Sequence, residues 1–260
     1  MSEQTMSEQT RRVAIVTGAA GGIGSAITRR LEQDGVDVLA VDLDLTRTRD
    51  ELDGVGVAFA ADLTTREGNE SCVHAALEQF GRLDMIVANA GFQHVSPVAE
   101  FPEDRWDAML ALMLTSPFLL AKYAWPSLLE APDGGRFVAI ASAHALVASP
   151  YKAAYVAAKH GVLGLVKTLA LEGAEHGVTA TAICPGYVRT PLVEKQIAAQ
   201  AKAHSMSEDR VLHDVILAAQ PVKRLIEPEE VAELTSFVLG PYGRSFTGVP
   251  MSMDNGWTAR

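Results

Sequence analysis

The chain has 260 residues, of which 48% are hydrophobic and 21% charged, and its formal net charge is −10. Such a chain can bury a large core, and its apolar runs are too short to cross a bilayer, so we expect a soluble globular protein that needs no membrane. The negative charge repels phosphate backbones and gives no reason to expect nucleic acid as a partner. Two distant cysteines, Cys72 and Cys184, lack metal-ligand spacing and fit a reducing cytoplasm rather than a disulfide framework or a metal site.

The first ten residues consist of two copies of the polar pentapeptide MSEQT and contain no apolar stretch. We expect residues 1–10 to form a disordered tail. No linker divides the rest of the chain, so residues 11–260 are expected to form a single domain.

Seven short apolar runs alternate with helical stretches along the chain. The first run ends in glycines at Gly18 and leads into helical spacing at Ile27 and Leu31. Alternation of this kind predicts an α/β fold with a doubly wound, mostly parallel seven-stranded sheet and helices on both faces. The runs span residues 13–18, 36–42, 55–60, 83–91, 136–142, 178–184 and 249–254.

Two segments depart from this alternation. The helical stretch 104–129 contains Pro117, which must remove one hydrogen bond or kink the helix. A more polar, irregular region at about 187–223 precedes the last helix and strand. An insertion near strand ends is a natural place for a substrate lid, which we expect here.

The segment TGAAGGIG places Gly18, Gly22 and Gly24 directly after a strand and at the start of a helix. Glycines there let backbone amides approach a pyrophosphate, and the helix N-terminus favours its charge. Asp42, at the end of the next strand, can accept hydrogen bonds from adenosine ribose hydroxyls, or it is an ordinary solvated strand end. A carboxylate facing the ribose repels a 2′-phosphate by about 1–4 kcal/mol, which favours NAD over NADP.

Two cations follow Asp42 closely and could weaken that preference. They are Arg47 and Arg49. We interpret both as residues of a solvated loop.

The stretch 142–159 holds two tyrosines, of which only Tyr155 has a lysine four places on, Lys159. Lys152 lies three residues before Tyr155, so in a helix all three share one face while Tyr151 points elsewhere. A tyrosine base needs its pKa lowered from about 10, and an ammonium one turn away favours the phenolate. Taken singly, each residue could belong to an ordinary helix; together they predict a face that looks into an active site.

The motifs TGAAGGIG, NAG at 89–91, Ser142, YVAAK at 155–159 and PG at 185–186 together resemble the short-chain dehydrogenase/reductase family from Arg12 onwards. The family implies NAD-dependent hydride transfer in a Rossmann domain, and assembly as a homotetramer. It also implies that Tyr155 is the base, that Lys159 holds the nicotinamide ribose, and that Ser142 binds the reacting oxygen. The cofactor residues that it implies are Thr17, Gly18, Gly22, Ile23, Gly24, Asp42, Asp62, Leu63, Asn89, Ala90, Gly91, Tyr155, Lys159, Pro185, Gly186 and Val188.

Longer stretches, among them FQHVSPV, IASAHALVAS and ICPGYVRTPLVEKQI, resemble the bacterial D-3-hydroxybutyrate dehydrogenases of this family. That resemblance implies the interconversion of D-3-hydroxybutyrate and acetoacetate with NAD. A small anion in an acidic protein needs a local cation such as Lys152. Two alternatives stay open: a dehydrogenase for another small hydroxy acid or ketone, and an NAD-binding regulatory protein with impaired catalysis. The substrate residues implied by the resemblance are Gln93, His144, Lys152 and Gln196. Tyr187 and Trp257 are candidates for walling the substrate pocket against water, or they belong to ordinary packing.

The chain departs from the family at one catalytic position. The family carries an asparagine on the helix that here reads LALMLTSPF, and the aligned residue is Met113, whose thioether cannot replace an amide. The family role of that asparagine is largely to shape a helix distortion whose freed carbonyl holds a water. Pro117, four residues on, lacks the N–H that would bond the Met113 carbonyl. Our hypothesis is that Pro117 keeps this water site open.

Overall fold

A computed structural model of the protein describes residues 11–204 and 206–259, so the predicted tail at 1–10 lies outside the described residues. The strands are β1 Val13–Thr17, β2 Asp37–Asp42, β3 Val57–Ala60, β4 Met85–Ala88, β5 Arg136–Ile140, β6 Thr179–Pro185 and β7 Pro250–Met253. Within the described residues they form one sheet in the order β3-β2-β1-β4-β5-β6-β7, and every neighbouring pair is parallel. The predicted doubly wound sheet is confirmed, and it is parallel throughout.

Helices cover both faces of this sheet. They are α1 Gly22–Gln33, α2 Leu45–Leu52, α3 Arg66–Phe80, α4 Glu103–Leu110, α5 Ser116–Glu130, α6 Ala153–Gly173, α7 Pro191–His204, α8 Glu208–Val211 and α9 Pro228–Leu239. Val13 and Ile15 of β1 pack with α3, α5 and α6, whereas Ala14 and Val16 pack with α1 and α9 on the opposite face. Because both faces are covered, the strands are continuous apolar runs.

The stretch predicted as one helix over 104–129 consists of three successive pieces. Between α4 and α5, residues Ala111–Thr115 form a π-helical turn, in which the Ser116 N–H donates to the Ala111 carbonyl five residues earlier. Met113 lies in the middle of this turn and is buried. The helix is therefore distorted at the position where the family carries its asparagine.

The combined run Glu103–Glu130 is long and apolar enough to cross a membrane by length and composition alone. Leu120, Ala124 and Leu128 of this run are buried in the main core together with residues of α3 and β1. A helix that packs inside a large α/β domain has the same apolar composition. We therefore assign it as a core helix.

Many of the described residues in the range 187–223 are helical, where the sequence predicts an irregular region. The range contains α7, α8 and a second π-helical turn, Leu212–Ile216. Ile197, Val211 and Leu217 of this segment are buried in a small core of their own, against which Tyr187 packs. The predicted irregular region therefore contains helices that the sequence did not indicate.

Candidate active site

A cavity of about 580 Å³ lies at the carboxyl ends of the parallel strands, where α/β proteins of this type bind their ligands. All the predicted catalytic, cofactor and substrate residues fall in the described part of the chain, and all of them except Thr17 line this cavity. They come from segments that are far apart in sequence. The residues that lie at or just after the carboxyl ends of β1 to β6 around the cavity are Gly18, Asp42, Asp62, Asn89, Ser142 and Gly186.

The glycine turn after β1 is shaped to hold a diphosphate. Gly18 has a φ of +68°, which favours glycine, and a Cβ on Gly24 would overlap the Gly18 carbonyl. Helix α1 begins at Gly22, and within the described chain no side chain caps its first amides. Those amides can receive an anion, so the residues present fit the diphosphate of a nicotinamide dinucleotide.

Thr17 lies behind this turn rather than in the cavity. Its Oγ1 accepts hydrogen bonds from the backbone N–H groups of Asn89 and Ala90, both at 3.0 Å. In return, Asn89 Nδ2 donates to the Thr17 carbonyl at 2.9 Å. Thr17 therefore ties the glycine turn to the NAG segment after β4, and its contribution to a cofactor site is indirect.

Replacing Thr17 with Val is expected to destabilise the fold by about 2–4 kcal/mol, because two N–H groups lose their acceptor. The measurement is the urea midpoint at fixed protein concentration. Thr28→Val is the matched control: Thr28 is equally buried, but its hydroxyl donates to the Gly24 carbonyl within α1. We expect this control to lose less than about 1 kcal/mol. Equal losses in the two variants would contradict the role assigned to Thr17.

Asp42 and Arg47 both bond Ala20 of the glycine turn. Asp42 accepts the N–H of Ala20 at 3.0 Å and that of Leu43 at 2.8 Å. The interpretation of Arg47 as a loop residue is wrong: it lies in α2, lines the cavity and donates from Nη2 to the Ala20 carbonyl at 3.1 Å. Asp44, which caps α2 by accepting the Arg47 N–H, was the sequence signal for a helix start there.

Tyr155 and Lys159 lie one turn apart on α6, as predicted, and Ser142 faces the cavity from the end of β5. Burial raises the pKa of the Tyr155 phenol above its ordinary value, and a hydrogen bond from the Ser142 side chain opposes this shift. Lys159 Nζ donates to the Ile140 carbonyl at 2.8 Å and lies 5.6 Å from the centre of the Tyr155 ring. Burial also lowers the pKa of Lys159 to about 8.

In this geometry burial, rather than the Lys159 ammonium, determines the direction in which the pKa of the Tyr155 phenol is shifted. The spacing on α6 places the two side chains correctly, but the ammonium bonds a carbonyl of β5. A phenol with a raised pKa is protonated at neutral pH. It is suited to donate a proton to a carbonyl oxygen, whereas taking a proton from an alcohol becomes easier as the pH rises.

At the other end of the cavity, a cation is buried among aromatic rings. Lys152 is 8% exposed, and its Nζ donates to the Tyr187 hydroxyl at 3.3 Å. Tyr187 stacks on Trp257, whose ring meets the His144 ring edge-on. Lys152 directly precedes α6 rather than lying within it, and burial lowers its pKa. Among residues 11–204 and 206–259, no carboxylate forms an ion pair with Lys152.

His144 lies beside Lys152, and the imidazole of His144 is neutral. Burial and the charge of Lys152 lower its pKa to about 4. Its Nε2 lies 2.9 Å from Ser149 Oγ and its Nδ1 3.4 Å from Ser142 Oγ, which fixes the ring. Gln93 Nε2 is buried without a hydrogen-bond partner in the part of the chain that the structure describes. A cation without a counter-ion and a donor without an acceptor together indicate a small anionic ligand.

Met113, noted in the sequence only as a departure from the family, forms part of the cavity wall. Met113 reaches the NAG segment, where a Cβ on Gly91 would lie 3.1 Å from its Sδ. Ser149, which holds His144, was missed, because nothing in the local pattern shows which side chain it meets. Apolar wall residues look like ordinary packing in a sequence. Other unpredicted apolar residues that line the cavity include Leu43, Phe92, Leu112 and Val193.

Known proteins are similar to this chain in both sequence and fold. The family model described as short chain dehydrogenase matches residues 12–201. D-beta-hydroxybutyrate dehydrogenase from Rhizobium meliloti is 42% identical over 258 residues, covering 96% of this chain and 99% of that protein. The protein of the same name from Cupriavidus necator is 38% identical over 255 residues, covering 96% and 98%. The ligand-free aldohexose dehydrogenase of Thermoplasma acidophilum has a TM-score of 0.87 at 26% identity, covering 96% and 95%. The chain therefore belongs to the short chain dehydrogenase family.

Proposed function

We propose that this chain is an NAD-dependent dehydrogenase that interconverts D-3-hydroxybutyrate and acetoacetate. The observation that carries the proposal is the buried ammonium of Lys152, which has no carboxylate partner among the described residues. Lys152 and Tyr155 are three residues apart and line one cavity, so a substrate that contacts both is short. The names of the two hydroxybutyrate dehydrogenases that cover nearly the whole chain support the same substrate.

The residues of this chain have two tasks in the proposed reaction. Ser142 donates a hydrogen bond to the reacting oxygen, and Tyr155 gives that oxygen a proton or takes one from it. Lys152, Gln93 and Gln196 hold the carboxylate, which fixes the carbon skeleton relative to the phenol. A bound nicotinamide supplies the hydride donor or acceptor.

We propose NAD as the preferred cofactor because Asp42 faces the cavity beside the glycine turn. Its carboxylate can accept hydrogen bonds from the adenosine ribose, and its charge disfavours a 2′-phosphate. Assembly as a homotetramer in the cytoplasm, and a covering role for residues 187–223, belong to the same proposal. They are carried over from the family and from the position of that segment beside the cavity.

The test is the absorbance of NADH formed with D-3-hydroxybutyrate, with its L enantiomer and with a panel of other small hydroxy acids and alcohols. Reaction with the D acid alone is the expected result. Reaction only with other members of the panel would favour the second dehydrogenase hypothesis. If no substrate produces NADH although NAD still binds, the regulatory hypothesis is favoured.

We further propose that the π-helical turn takes over the role of the missing asparagine. The distortion is present although position 113 is a methionine. Ser116, which closes the turn, donates from its hydroxyl to Asn69 Oδ1 at 2.6 Å, in the buried interface between α5 and α3. Pro117 cannot donate to the Met113 carbonyl, so the proline and this buried bond together support the turn.

Pro117→Ala is expected to slow turnover by roughly tenfold, because the new N–H can bond the Met113 carbonyl and close the water site. Pro126→Ala is the matched control, since Pro126 lies in the same helix, outside the cavity lining in the described chain, and should leave turnover within about twofold. Unchanged turnover in Pro117→Ala would contradict the proposal that Pro117 keeps the water site open. If Met113→Asn raises turnover by several orders of magnitude, the native site is catalytically impaired by the missing asparagine.

A further inference from the structure

We infer that Ser149 is a positioning residue of the proposed reaction, which acts through His144 to keep the hydroxyl hydrogen of Ser142 available to the reacting oxygen. The inference rests on the proposed dehydrogenase activity, but it does not depend on the identity of the substrate. It concerns the segment that connects β5 to α6, residues 141–152.

Three side chains of this segment form one line of hydrogen bonds. Ser142 Oγ lies 3.4 Å from His144 Nδ1, and His144 Nε2 lies 2.9 Å from Ser149 Oγ. The first two residues are buried, and Ser149 is half-buried. The His144 ring meets the rings of Tyr155 and Trp257 edge-on, which holds it in place. The line therefore runs outwards from the reacting centre through a ring of fixed orientation.

The hydroxyl of Ser142 has one hydrogen and several contacts. Its oxygen accepts the backbone N–H of His144 at 3.1 Å. Burial raises the pKa of the Tyr155 phenol, and a hydrogen bond from Ser142 opposes this effect, as a donated hydrogen does. A hydroxyl cannot donate one hydrogen twice, so the contact with His144 Nδ1 requires a proton on Nδ1. An unprotonated Nδ1 would instead compete with the phenol and the reacting oxygen for that hydrogen.

His144 has one ring proton to place. Burial and the charge of Lys152 lower its pKa to about 4, so the imidazole is neutral. In a neutral imidazole one nitrogen donates and the other accepts, and the partner of one nitrogen determines the state of the other. With the proton on Nδ1, Nε2 is an acceptor, and the Ser149 hydroxyl is close enough to donate to it. Both ring nitrogens are then engaged, which leaves the substrate carboxylate to Lys152, Gln93 and Gln196.

In this arrangement the three hydrogen bonds point the same way. Ser149 donates to Nε2 of His144, Nδ1 donates to Ser142, and Ser142 donates to the oxygen whose charge changes during hydride transfer. Hydrogen bonds in series polarise one another, which strengthens the last donor of the line. Ser149 lies outside the described lining of the cavity, so its effect on the reaction passes through the other two residues.

The first test compares the kinetics of Ser149→Ala and Ser149→Thr. Ser149→Ala is expected to lower kcat about fivefold in both directions, while the KM of the hydroxy acid stays within about twofold. Ser149→Thr keeps the hydroxyl and should restore most of the rate. Ser96→Ala is the matched control and should change neither constant, because Ser96 is half-buried, bonds the Pro97 carbonyl and lies outside the described lining.

The second test measures the tautomer of His144 from the nitrogen NMR chemical shifts of its ring, and it needs no substrate. His144 is identified as the histidine whose ring stays neutral at about pH 5. We expect the proton on Nδ1 in the unmodified chain and a mixture of both tautomers in Ser149→Ala. If Ser149 only supported the local fold, its removal would leave the tautomer unchanged.

Several outcomes overturn the inference. A proton on Nε2 in the unmodified chain, or an unchanged kcat in Ser149→Ala, contradicts it directly. A rise in KM without a fall in kcat would show that His144 serves the carboxylate instead. If another small hydroxy acid reacts in place of D-3-hydroxybutyrate, only the proposed substrate is wrong, and the same fall in kcat with that acid supports the role of Ser149. If no substrate reacts, the proposed dehydrogenase activity fails and the inference fails with it.

Discussion

Tyr155→Phe is expected to lower turnover by about 10²–10⁴-fold in both directions of the proposed reaction, because it removes the group that transfers the proton. The measurement is the rate of NADH formation with the hydroxy acid and of NADH consumption with the ketone. Tyr151→Phe is the matched control: Tyr151 is 59% exposed and lies outside the described lining of the cavity. This control should retain turnover within about twofold.

The raised pKa of the Tyr155 phenol also gives these rates a pH dependence of definite sign. The protonated phenol is the donor, so ketone reduction should be fastest below the phenol pKa and fall as the pH rises through it. The phenolate is the acceptor, so alcohol oxidation should rise over the same alkaline range. Both slopes should disappear in Tyr155→Phe. A variant that keeps more than about a tenth of the turnover would show that another group transfers the proton.

The strands could be predicted from the sequence because burial on both faces of the sheet requires continuous apolar runs. Each of the seven predicted runs coincides with one strand, and β1, β2, β6 and β7 match their runs within a residue at each end. β3 is shorter than its run, and its end residues Val57 and Ala60 are exposed at the edge of the sheet. An apolar run does not reveal which strands are neighbours, so the sheet order and the parallel direction of β7 required the structure.

The site was predictable where its chemistry lies in a local pattern. The glycine turn and the Tyr155/Lys159 spacing occupy short segments, and both face the cavity. The bond from Lys152 to the Tyr187 hydroxyl joins residues 35 positions apart, and that from Arg47 to the Ala20 carbonyl joins residues 27 apart. Such contacts depend on how separate elements pack and on the direction of long side chains, which sequence spacing alone does not determine.

The distortion of the helix around Pro117 was anticipated from a missing donor. It lies at Ala111–Thr115, on the N-terminal side of the proline. This direction is the expected one, because a proline leaves unbonded the carbonyl four residues earlier. The change to π-helical bonding, and the buried contact of Ser116 with Asn69, could not be foreseen from one helix alone.

Lys152→Met is expected to lower kcat/KM for D-3-hydroxybutyrate by about 10²–10³-fold, because a buried charge that binds the carboxylate is lost while the volume is kept. The dissociation constant of NAD should stay within about twofold, since Lys152 lies at the substrate end. Lys167→Met, an exposed change on the same helix, is the matched control. The neutral amide of the hydroxy acid is the second probe, and its turnover should fall less than about tenfold.

The stability of Lys152→Met distinguishes a ligand-binding role of Lys152 from a role in supporting the fold. A buried ammonium without a carboxylate partner in the described chain costs folding free energy, because it leaves water without an opposite charge. Lys152→Met should therefore raise the urea midpoint, or leave it unchanged, while activity towards the acid collapses. A residue that destabilises the fold and supports the reaction is retained for its ligand. If the variant is less stable and loses the acid and the amide equally, Lys152 supports the fold of the site, and the proposed carboxylate clamp is wrong.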